Sequence, residues 1–474
     1  MSSNSGVIVN RSNSVSPFFQ ALKSRNSKSL PELYSSEVNT ESVAQSRVEV
    51  ESSSTANYGR TLRIELPRYG LLNKLYLHTV FGPTGGTHST SAYAQGVPFI
   101  GAMCIREARI TYNGQTLQKT NGYTIVSDLW KHSNDREKQH LQEMLGAYEA
   151  TTGTASANNV AAKFSEVMAA RSAPGGSLSH DGIQDFYCPL QFYFDAKHSP
   201  NRSLDLSVLS SPVILEVDME AVGNCWTTTS AGVTASIVAP ALTNVSALCY
   251  LSEMDSEVEK SYRALTYQNG GSPLTQLAFN TEHIVVASNV TLDAVDVTMD
   301  IKLNQFTGSV YKLVVFATGS AAFATDHAHR IRPGAISEIQ LKATGTNIVN
   351  QSSLQDKESI LESYHSGGEF YPITNDGTAW WSAVTCNPNN FVELNFKKPY
   401  DMSKVSASGS VAFGALSVPS LRVVLQGDTH RGQFGAQALN LGANADIHVI
   451  AYTTSLISYQ TNASGSTNIR MIQN

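Results

Sequence analysis

The sequence has 474 residues, of which 15% are charged, and it carries a formal net charge of −6 with a pI of about 6.1. Soluble domains average about 25% charged residues, so this composition is typical of an all-β protein with a polar but uncharged surface. The acidic pI argues against a protein that coats nucleic acid through a basic patch. No run of 18 apolar residues is present and the first residues lack a signal-peptide pattern, so we expect no transmembrane helix and synthesis in a cytosol.

Residues 1–57 differ in composition from the rest, since they are rich in Ser and Asn. Such a segment cannot bury enough apolar surface to fold alone. We therefore predict a flexible N-terminal arm that orders only against a partner, with a disordered tail as the alternative. From Thr61 the pattern changes to period two, because Leu62, Ile64 and Leu66 alternate with charged residues. This alternation predicts a half-buried strand.

The rest of the first half continues this pattern of short strands. The run 105–112 ends in Asn113-Gly114, the strongest short hairpin signal. The predicted strands are 61–66, 75–81, 105–112, 184–189, 191–194, 213–219 and 245–251. Between 134 and 168 good helix formers replace the alternation, and we predict helices at 135–145 and 160–170 as an insertion between strands.

The charged segment 254–263 is predicted to be a linker, after which the pattern repeats. The predicted strands are 274–279, 282–287, 291–303, 310–316, 336–342, 391–396, 411–413, 421–425 and 447–460, with a helix at 353–364. Short strands broken by Gly and Pro predict β-sandwiches, and about eight strands per half is the count of a jelly roll.

We therefore predict an all-β fold of two consecutive eight-stranded jelly-roll β-sandwiches with short helical insertions. The predicted domains are the flexible N-terminal arm at 1–57, the first jelly roll at 58–253, the linker at 254–263 and the second jelly roll at 264–474. The five cysteines form no CxxC pair, and most lie beside apolar residues. Small buried side chains in a reducing compartment are favoured over disulfides. They are Cys104, Cys188, Cys225, Cys249 and Cys386.

No motif predicts catalytic, cofactor-binding or metal-binding residues, so we expect none and no cofactor. The densest ionisable cluster is at 326–330, where His327 and His329 could share a strand face, but a third metal ligand is not visible nearby. Exposed loop residues are the favoured interpretation. His365 has no triad partner in a recognisable motif. Trp380-Trp381 could stack a sugar, although such a pair more often places one ring in the core.

In the first half, the segments 68–77, 105–119 and 188–194 resemble parts of the double jelly-roll major capsid proteins of large double-stranded DNA viruses, of the nucleocytoplasmic large DNA virus type. Residues 68–77 are similar to the entry into the family's first sheet. Residues 105–119 resemble its hairpin, in which a Gly-Gly turn precedes a helical stretch with a Trp; here Asn113-Gly114 forms the turn and Trp130 follows. Residues 188–194 resemble its P-L-P-F-W-F strand, with Gln191 in place of the second Pro.

The resemblance extends into the second half. Residues 408–413 are similar to a turn that opens a late strand, although Ala412 replaces its Asn, and residues 447–452 resemble the final strand. The resemblance spans about residues 60–474. It depends on the order and spacing of these motifs and on no single one.

The resemblance implies a major capsid protein without a catalytic site. Three subunits would form a homotrimer of six rolls that looks hexagonal and tiles an icosahedral shell. The implied partners are further copies of itself in the trimer and in neighbouring trimers, minor capsid and vertex proteins, and an inner membrane as a candidate contact of the N-terminal arm. No direct sequence-specific contact with nucleic acid is implied. The protein would reside in the virion capsid after assembly in the host cytoplasm or viral factory.

Two alternatives belong to other functional classes. One is a jelly-roll carbohydrate-binding or host-attachment spike protein, which needs an exposed aromatic platform. The other is a β-sandwich hydrolase, which needs convergent polar residues that the sequence does not supply. A fold alone does not decide among these functions.

Overall fold

The protein folds mainly as antiparallel β-sheet. The computed structural model describes residues 43–82, 92–97, 99–132, 140, 144–146, 184–194, 203–230, 239–254, 274–287, 297–319, 336–343, 346–351, 392–396, 410–425, 445–461 and 467–473. The ladders between the named strands of this part are antiparallel, as expected where turns and loops rather than crossover helices join neighbours.

The first half holds eleven of the described strands, and three of its helices are described over their whole length. The strands are β1 (Val43–Glu51), β2 (Thr61–Glu65), β3 (Leu71–Phe81), β4 (Ala92–Gly96), β5 (Ile105–Tyr112), β6 (Gln115–Thr120), β7 (Gln184–Pro189), β8 (Leu204–Asp205), β9 (Val213–Met219), β10 (Trp226–Ser230) and β11 (Leu242–Met254). The helices are α1 (Ile100–Met103), α2 (Gly122–His132) and α3 (Val222–Cys225). Helix α2 contains Trp130, as the family resemblance implied.

The first-half strands form two four-stranded sheets that pack face to face. Their orders are β1-β11-β3-β7 and β2-β9-β5-β6, with β8 beside β3 and a separate β4-β10 ribbon. The alternation in β2 directs Leu62 and Ile64 inward, and that in β3 does the same for Leu75 and Leu77. These side chains are fully buried in one core between the sheets.

The predicted hairpin joins β5 to β6. Asn113 and Gly114 form its two-residue turn, with φ values of 49° and 77°. Positive φ at both positions is the type I′ turn, whose twist matches that of the flanking strands. The hairpin prediction is therefore confirmed.

The second half holds ten of the described strands. They are β12 (Leu274–Ala287), β13 (Val297–Lys302), β14 (Ser309–Gly319), β15 (Ile336–Ala343), β16 (Thr346–Gln351), β17 (Val392–Asn395), β18 (Val411–Ala412), β19 (Ser420–Leu425), β20 (Ala445–Thr461) and β21 (Thr467–Gln473). A single 3₁₀ turn, Phe413–Ala415, follows β18.

The second half repeats the topology of the first. Its sheet orders are β12-β20-β14-β17 and β13-β19-β15-β16, with β18 and β21 added to the first sheet. Taken in chain order, these eight strands occupy the same places as the eight principal strands of the first half. Leu313 and Val315 of one sheet and Leu421 and Val423 of the other are fully buried between the sheets. The predicted fold of two eight-stranded jelly rolls is confirmed, with additional short strands.

The predicted N-terminal arm is wrong at its C-terminal end. Residues 43–51 form β1, which pairs with β11 along its whole length and supplies the first strand of the first roll. Val48 and Val50 pack against the core, while Arg47 and Glu49 are exposed. The alternation of Val48 and Val50 with charged residues is short, and the partner strand β11 lies at the far end of the first half. The Ser-rich composition of the segment therefore predicted an arm where the structure has a strand. Residues 1–42 lie outside the described residues.

The predicted strand at 191–194 is also wrong. The chain leaves β7 after Pro189 and turns, and Gln191 has φ 36° in the left-handed region. Proline fixes φ near −65°, so the second Pro of the family pattern does not fit this backbone. This turn places three aromatic side chains in the core, those of Phe192, Tyr193 and Phe194.

Other differences concern strand ends and additional strands. The two strands predicted at 274–279 and 282–287 are one continuous strand, β12. The strand predicted at 411–413 ends at Ala412, where the 3₁₀ turn begins. The predicted strand 291–303 is described only from residue 297, and β13 ends at Lys302. The sequence did not predict β4, β8, β10, β16 and β21.

Several predictions lie outside the described residues. They are the helices at 160–170 and 353–364, most of the helix at 135–145, and residues 255–263 of the linker. The first residue of the predicted linker, Met254, is the last residue of β11. Residues 140, 144 and 145 are described and helical. The linker and the limit between the two rolls stay predictions.

Candidate functional site at the seam between the two rolls

The ionisable and aromatic clusters that the sequence presented, at 326–330, His365 and Trp380-Trp381, lie outside the described residues. Within the described ranges, no group of three or more His, Cys, Asp or Glu side chains is placed to hold a metal ion. The helices of that part of the chain include none with the length and apolarity needed to span a membrane. Polar and aromatic side chains instead converge where the rolls meet. This seam is formed by β6, α2 and residues 190–194 of the first roll and by β12, β14, β20 and β21 of the second.

The four described cysteines are free thiols buried in the first roll. Burial raises the pKa of the Cys249 thiol to about 12 and raises the pKa of the other three as well. A thiol held protonated in an apolar core is unreactive. For these four residues the prediction of small buried side chains is confirmed, and Cys386 lies outside the described residues.

In the sheet β12-β20-β14-β17, the central strands β14 and β20 are buried on both faces. Leu313 and Val449 point into the core of the second roll. Val314, Phe316 and Ile450, on the opposite face of the same strands, belong to the core of the first roll. The seam therefore joins the two hydrophobic cores across a single sheet.

The first roll contributes the edge strand β6 and the start of α2 to the seam. Thr281 Oγ1 on β12 donates to the Lys119 carbonyl on β6 at 3.3 Å. Asn121 caps α2, since its Oδ1 accepts from Thr124 N at 2.8 Å and from Thr124 Oγ1 at 3.0 Å. The cap fixes the orientation of the Asn121 amide, whose nitrogen faces the second roll.

A chain of hydrogen bonds crosses the seam from that amide. Asn121 Nδ2 lies 3.1 Å from His283 Nδ1 on β12, and His283 Nε2 lies 3.0 Å from His448 Nδ1 on β20. His448 Nε2 lies 2.9 Å from Thr318 Oγ1 on β14. Four side chains from four elements are thus linked in one line.

Aromatic rings enclose the two histidines. The ring of Phe316 stacks on that of His448 at 4.8 Å between centroids and 10° between planes. The ring of Tyr123, from α2, lies 4.6 Å from His448 and 5.9 Å from His283. Burial, and secondarily the charge of Lys119, lower the pKa of His283 to about 4. His283 is therefore neutral at neutral pH.

A buried ion pair lies further along the same face. Lys312 Nζ on β14 is 3.7 Å from Glu393 Oε1 on β17 and 3.8 Å from the centroid of the Tyr452 ring. The Tyr452 hydroxyl lies 3.1 Å from Ser127 Oγ on α2. The second roll thereby presents a charge to the seam that is already compensated within its own sheet.

The far end of the seam is closed by β21 and by tyrosine hydroxyls. Tyr193 OH lies 3.2 Å from Tyr459 OH, both rings being buried. Tyr112 OH and Ser210 Oγ lie 3.0 Å and 2.9 Å from Asn468 Oδ1. The last strand of the chain therefore fastens the second roll to the first.

In the first roll, the sheet β1-β11-β3-β7 occupies the place that β12-β20-β14-β17 occupies in the second. Its outer face is open to solvent, with Arg47 and Lys74 exposed and Tyr250 36% exposed. The rings of Tyr76 and Tyr250 meet edge to face at 5.6 Å on this surface. The two equivalent sheets thus differ in that one outer face is covered and the other is exposed.

Carboxylates and a histidine lie beside the tyrosines of this exposed face. The ring of His78 stacks on Tyr187 at 4.3 Å, and its Nδ1 lies 2.7 Å from Glu49 Oε1. Hydrogen bonds from Ser246 and His78 lower the pKa of Glu49. Aromatic side chains surrounded by charged groups are the usual composition of a protein interface.

The outer face of β2-β9-β5-β6 has a different chemistry. Arg109 bonds Glu216 at 2.8 Å, Asp218 at 3.0 Å and Glu107 at 3.2 Å. These bonds, the one to Glu216 first, raise the pKa of Arg109. Arg63 adds a contact to Glu216 at 3.2 Å. In the described strands, this face carries a network of ion pairs in which arginines and carboxylates compensate one another.

The sequence carried a signal for the seam that the predictions did not use. The runs 313–317 and 447–452 are almost continuously apolar and do not alternate. Strands with both faces buried have this pattern. The histidine chain has no such local signal, because its members come from positions far apart in the sequence.

Residues 35–254 match the family model described as "Major capsid protein N-terminus". No curated protein matches the sequence of the chain. The family match covers the first roll and includes β1, in agreement with the corrected start of that roll.

Solved structures extend the likeness to both rolls. The quasi-atomic model of the PBCV-1 virus capsid is 13% identical, with a TM-score of 0.61 over 92% of this chain and 98% of that chain. The Faustovirus major capsid protein is 12% identical, with a TM-score of 0.56 over 95% and 97%. The mavirus major capsid protein is 10% identical, with a TM-score of 0.53 over 90% of each. At these identities the likeness shows the shared fold.

Proposed function

Because residues 35–254 match the family model of the major capsid protein N-terminus and the chain has the double jelly-roll fold, we propose that three copies form a pseudo-hexagonal trimer that tiles an icosahedral virus shell. The chain is a structural component of the virion capsid and not an enzyme. The family match favours this role over the spike and hydrolase alternatives.

The repeated topology supports a ring of rolls. Within one chain, the side of the first roll that carries β6 and α2 covers the outer face of β12-β20-β14-β17. The equivalent face of the first roll, on β1-β11-β3-β7, is exposed. If the same contact is repeated between chains, the β16 side of the second roll covers this face of the next copy. Such head-to-tail contacts form closed rings when their rotation closes.

The exposed face is suited to receive a second copy. Tyr76, Tyr187 and Tyr250 supply aromatic area on this face, and Tyr250 is 36% exposed. Aromatic residues at the centre of a patch carry most of the energy of an interface. The observation that carries the proposal is this uncovered sheet face, which is the counterpart of a covered one in the same chain.

The experiment is a mass measurement of the purified chain by analytical ultracentrifugation. The unchanged protein is expected to sediment as a trimer, and Tyr250→Arg, which places a charge in the centre of the exposed face, is expected to yield monomers with unchanged circular dichroism. Tyr69→Arg is the matched control, because Tyr69 is 44% exposed but lies in the turn before β3.

Two results would contradict the proposal. One is a protein that stays monomeric at the high concentrations used for shell assembly. The other is a trimer that survives Tyr250→Arg together with other charges on the same face. The further partners, which are neighbouring trimers, minor capsid and vertex proteins and an inner membrane, belong to the same proposal and would be identified by crosslinking in assembled particles. Hundreds to thousands of copies per particle are expected of a shell subunit, against tens for a vertex spike.

A further inference from the structure

The capping role of Asn121 fixes where the protons lie in the histidine chain. Its Oδ1 already accepts the Thr124 N–H and hydroxyl, so its Nδ2 faces His283. An amide nitrogen can only donate. His283 Nδ1 is therefore an acceptor, and the neutral ring carries its proton on Nε2.

The same reasoning continues to the next ring. His283 Nε2–H donates to His448 Nδ1, which leaves His448 Nε2–H to donate to Thr318 Oγ1. Each of the four ring nitrogens has one defined role. An additional proton would have to bind to Nδ1 of one ring, where it would face the Asn121 amide or the His283 N–H. Protonation of either histidine therefore breaks a hydrogen bond that spans the seam.

Among the charged groups of the described residues, the one whose charge acts on the pKa of His283 is a cation. Lys119 on β6 is a cation that disfavours a charged His283. Burial, and secondarily the charges of Glu220 after β9 and Asp446 on β20, raise the pKa of the Tyr123 hydroxyl. Glu282, next to His283 on β12, instead accepts from Thr307 N at 3.2 Å. The Nδ1 atom of His283 faces the Asn121 amide group.

We propose that the chain Asn121–His283–His448–Thr318 is an acid-sensitive latch between the two rolls, which opens when either histidine takes up a proton. With the seam closed, the pKa of His283 lies near 4, against an ordinary value of 6.5 once the ring is in water. Between pH 4 and pH 6.5 the open form therefore binds more protons than the closed form. The latch therefore contributes fully above about pH 6.5 and is lost as the pH falls towards 4.

Hydrogen exchange of the full chain, measured by mass spectrometry between pH 7.5 and 4.5, tests the latch. Peptides that cover α2 and β20 report the seam, and peptides that cover β9 and β19, two strands outside the seam, serve as the reference. After correction for intrinsic exchange, we expect the opening constant of the seam peptides to rise by up to about tenfold per pH unit below pH 6.5. The reference peptides are expected to change much less. Equal protection of the seam at pH 7.5 and pH 5 would overturn the proposal.

Asn121→Asp is the decisive variant, because aspartate also caps helices but offers His283 Nδ1 a charged acceptor. It is expected to reduce or reverse the acid response of the seam peptides. The double variant His283→Gln, His448→Gln, which cannot titrate in this range, is expected to abolish it. His140→Gln is the matched control, since His140 is exposed and should leave the wild-type response intact. A wild-type acid response in Asn121→Asp would refute the latch even if the double variant does not fold.

Discussion

Lys312 Nζ lies 3.7 Å from Glu393 Oε1, and the two side chains are 9% and 7% exposed. Lys312→Met would leave the buried carboxylate without its cation, and such losses cost about 3–5 kcal/mol. We expect a fall of about this size in the free energy of unfolding, measured by urea denaturation.

The double variant Lys312→Met, Glu393→Gln distinguishes the ion pair from simple packing. It removes the unpaired charge, so it should recover much of the stability lost in Lys312→Met. Equal destabilisation of the single and double variants would show that the contact of Lys312 with the Tyr452 ring matters more than the ion pair.

Gly122 allows α2 to approach α1. A Cβ at this position would lie 2.4 Å from the Ala102 carbonyl oxygen, a backbone atom that cannot move alone. Gly122→Ala should therefore separate the helices and destabilise the protein by about 3 kcal/mol, the upper range of overpacking. Gly223→Ala is the control, because a Cβ there meets nothing within 4 Å, and thermal melting should show it unchanged or slightly stabilised.

Gln191 adopts φ 36°, which only glycine accepts without strain. Gln191→Pro, which restores the residue of the family pattern, should destabilise the first roll by more than about 1 kcal/mol because the ring cannot adopt this φ. Gln191→Gly should raise the free energy of unfolding by up to about 1 kcal/mol. Gln191→Ala separates backbone strain from loss of the side chain. If denaturation shows Gln191→Pro to be neutral, the turn differs from the one described.

The N-terminal boundary of the first roll can be found by limited proteolysis of isolated trimers. The composition of residues 1–42 predicts an arm that orders only on assembly, whereas β1 is paired throughout with β11. The first cleavages should fall before residue 43, and mass spectrometry should find residues 43–57 intact. Early cleavage within β1, or complete resistance of residues 1–42, would contradict this assignment.

Local patterns were sufficient for most strands and for one turn. The alternation from Leu62 to Leu66 predicted β2, and Asn113-Gly114 predicted a turn whose backbone conformation is set by those two residues alone. Such signals are reliable because the period of a strand and the positive φ of a turn are properties of neighbouring residues. The strand predicted at 191–194 was wrong because the apolar pattern of the segment has another cause. Its aromatic rings are buried from a turn, and a turn with buried rings has the same run of apolar residues as a buried strand.

The sequence by itself determined that the protein is built of two β-sandwiches, because alternating side chains and turn residues fix which segments become strands. Only the tertiary structure decided that β1 belongs to the first roll, that one sheet is covered on both faces, and that Asn121 meets His283 across the seam. These outcomes depend on pairings between segments more than a hundred residues apart in the chain. No local period encodes such pairings, because they are selected by the packing free energy of the whole fold.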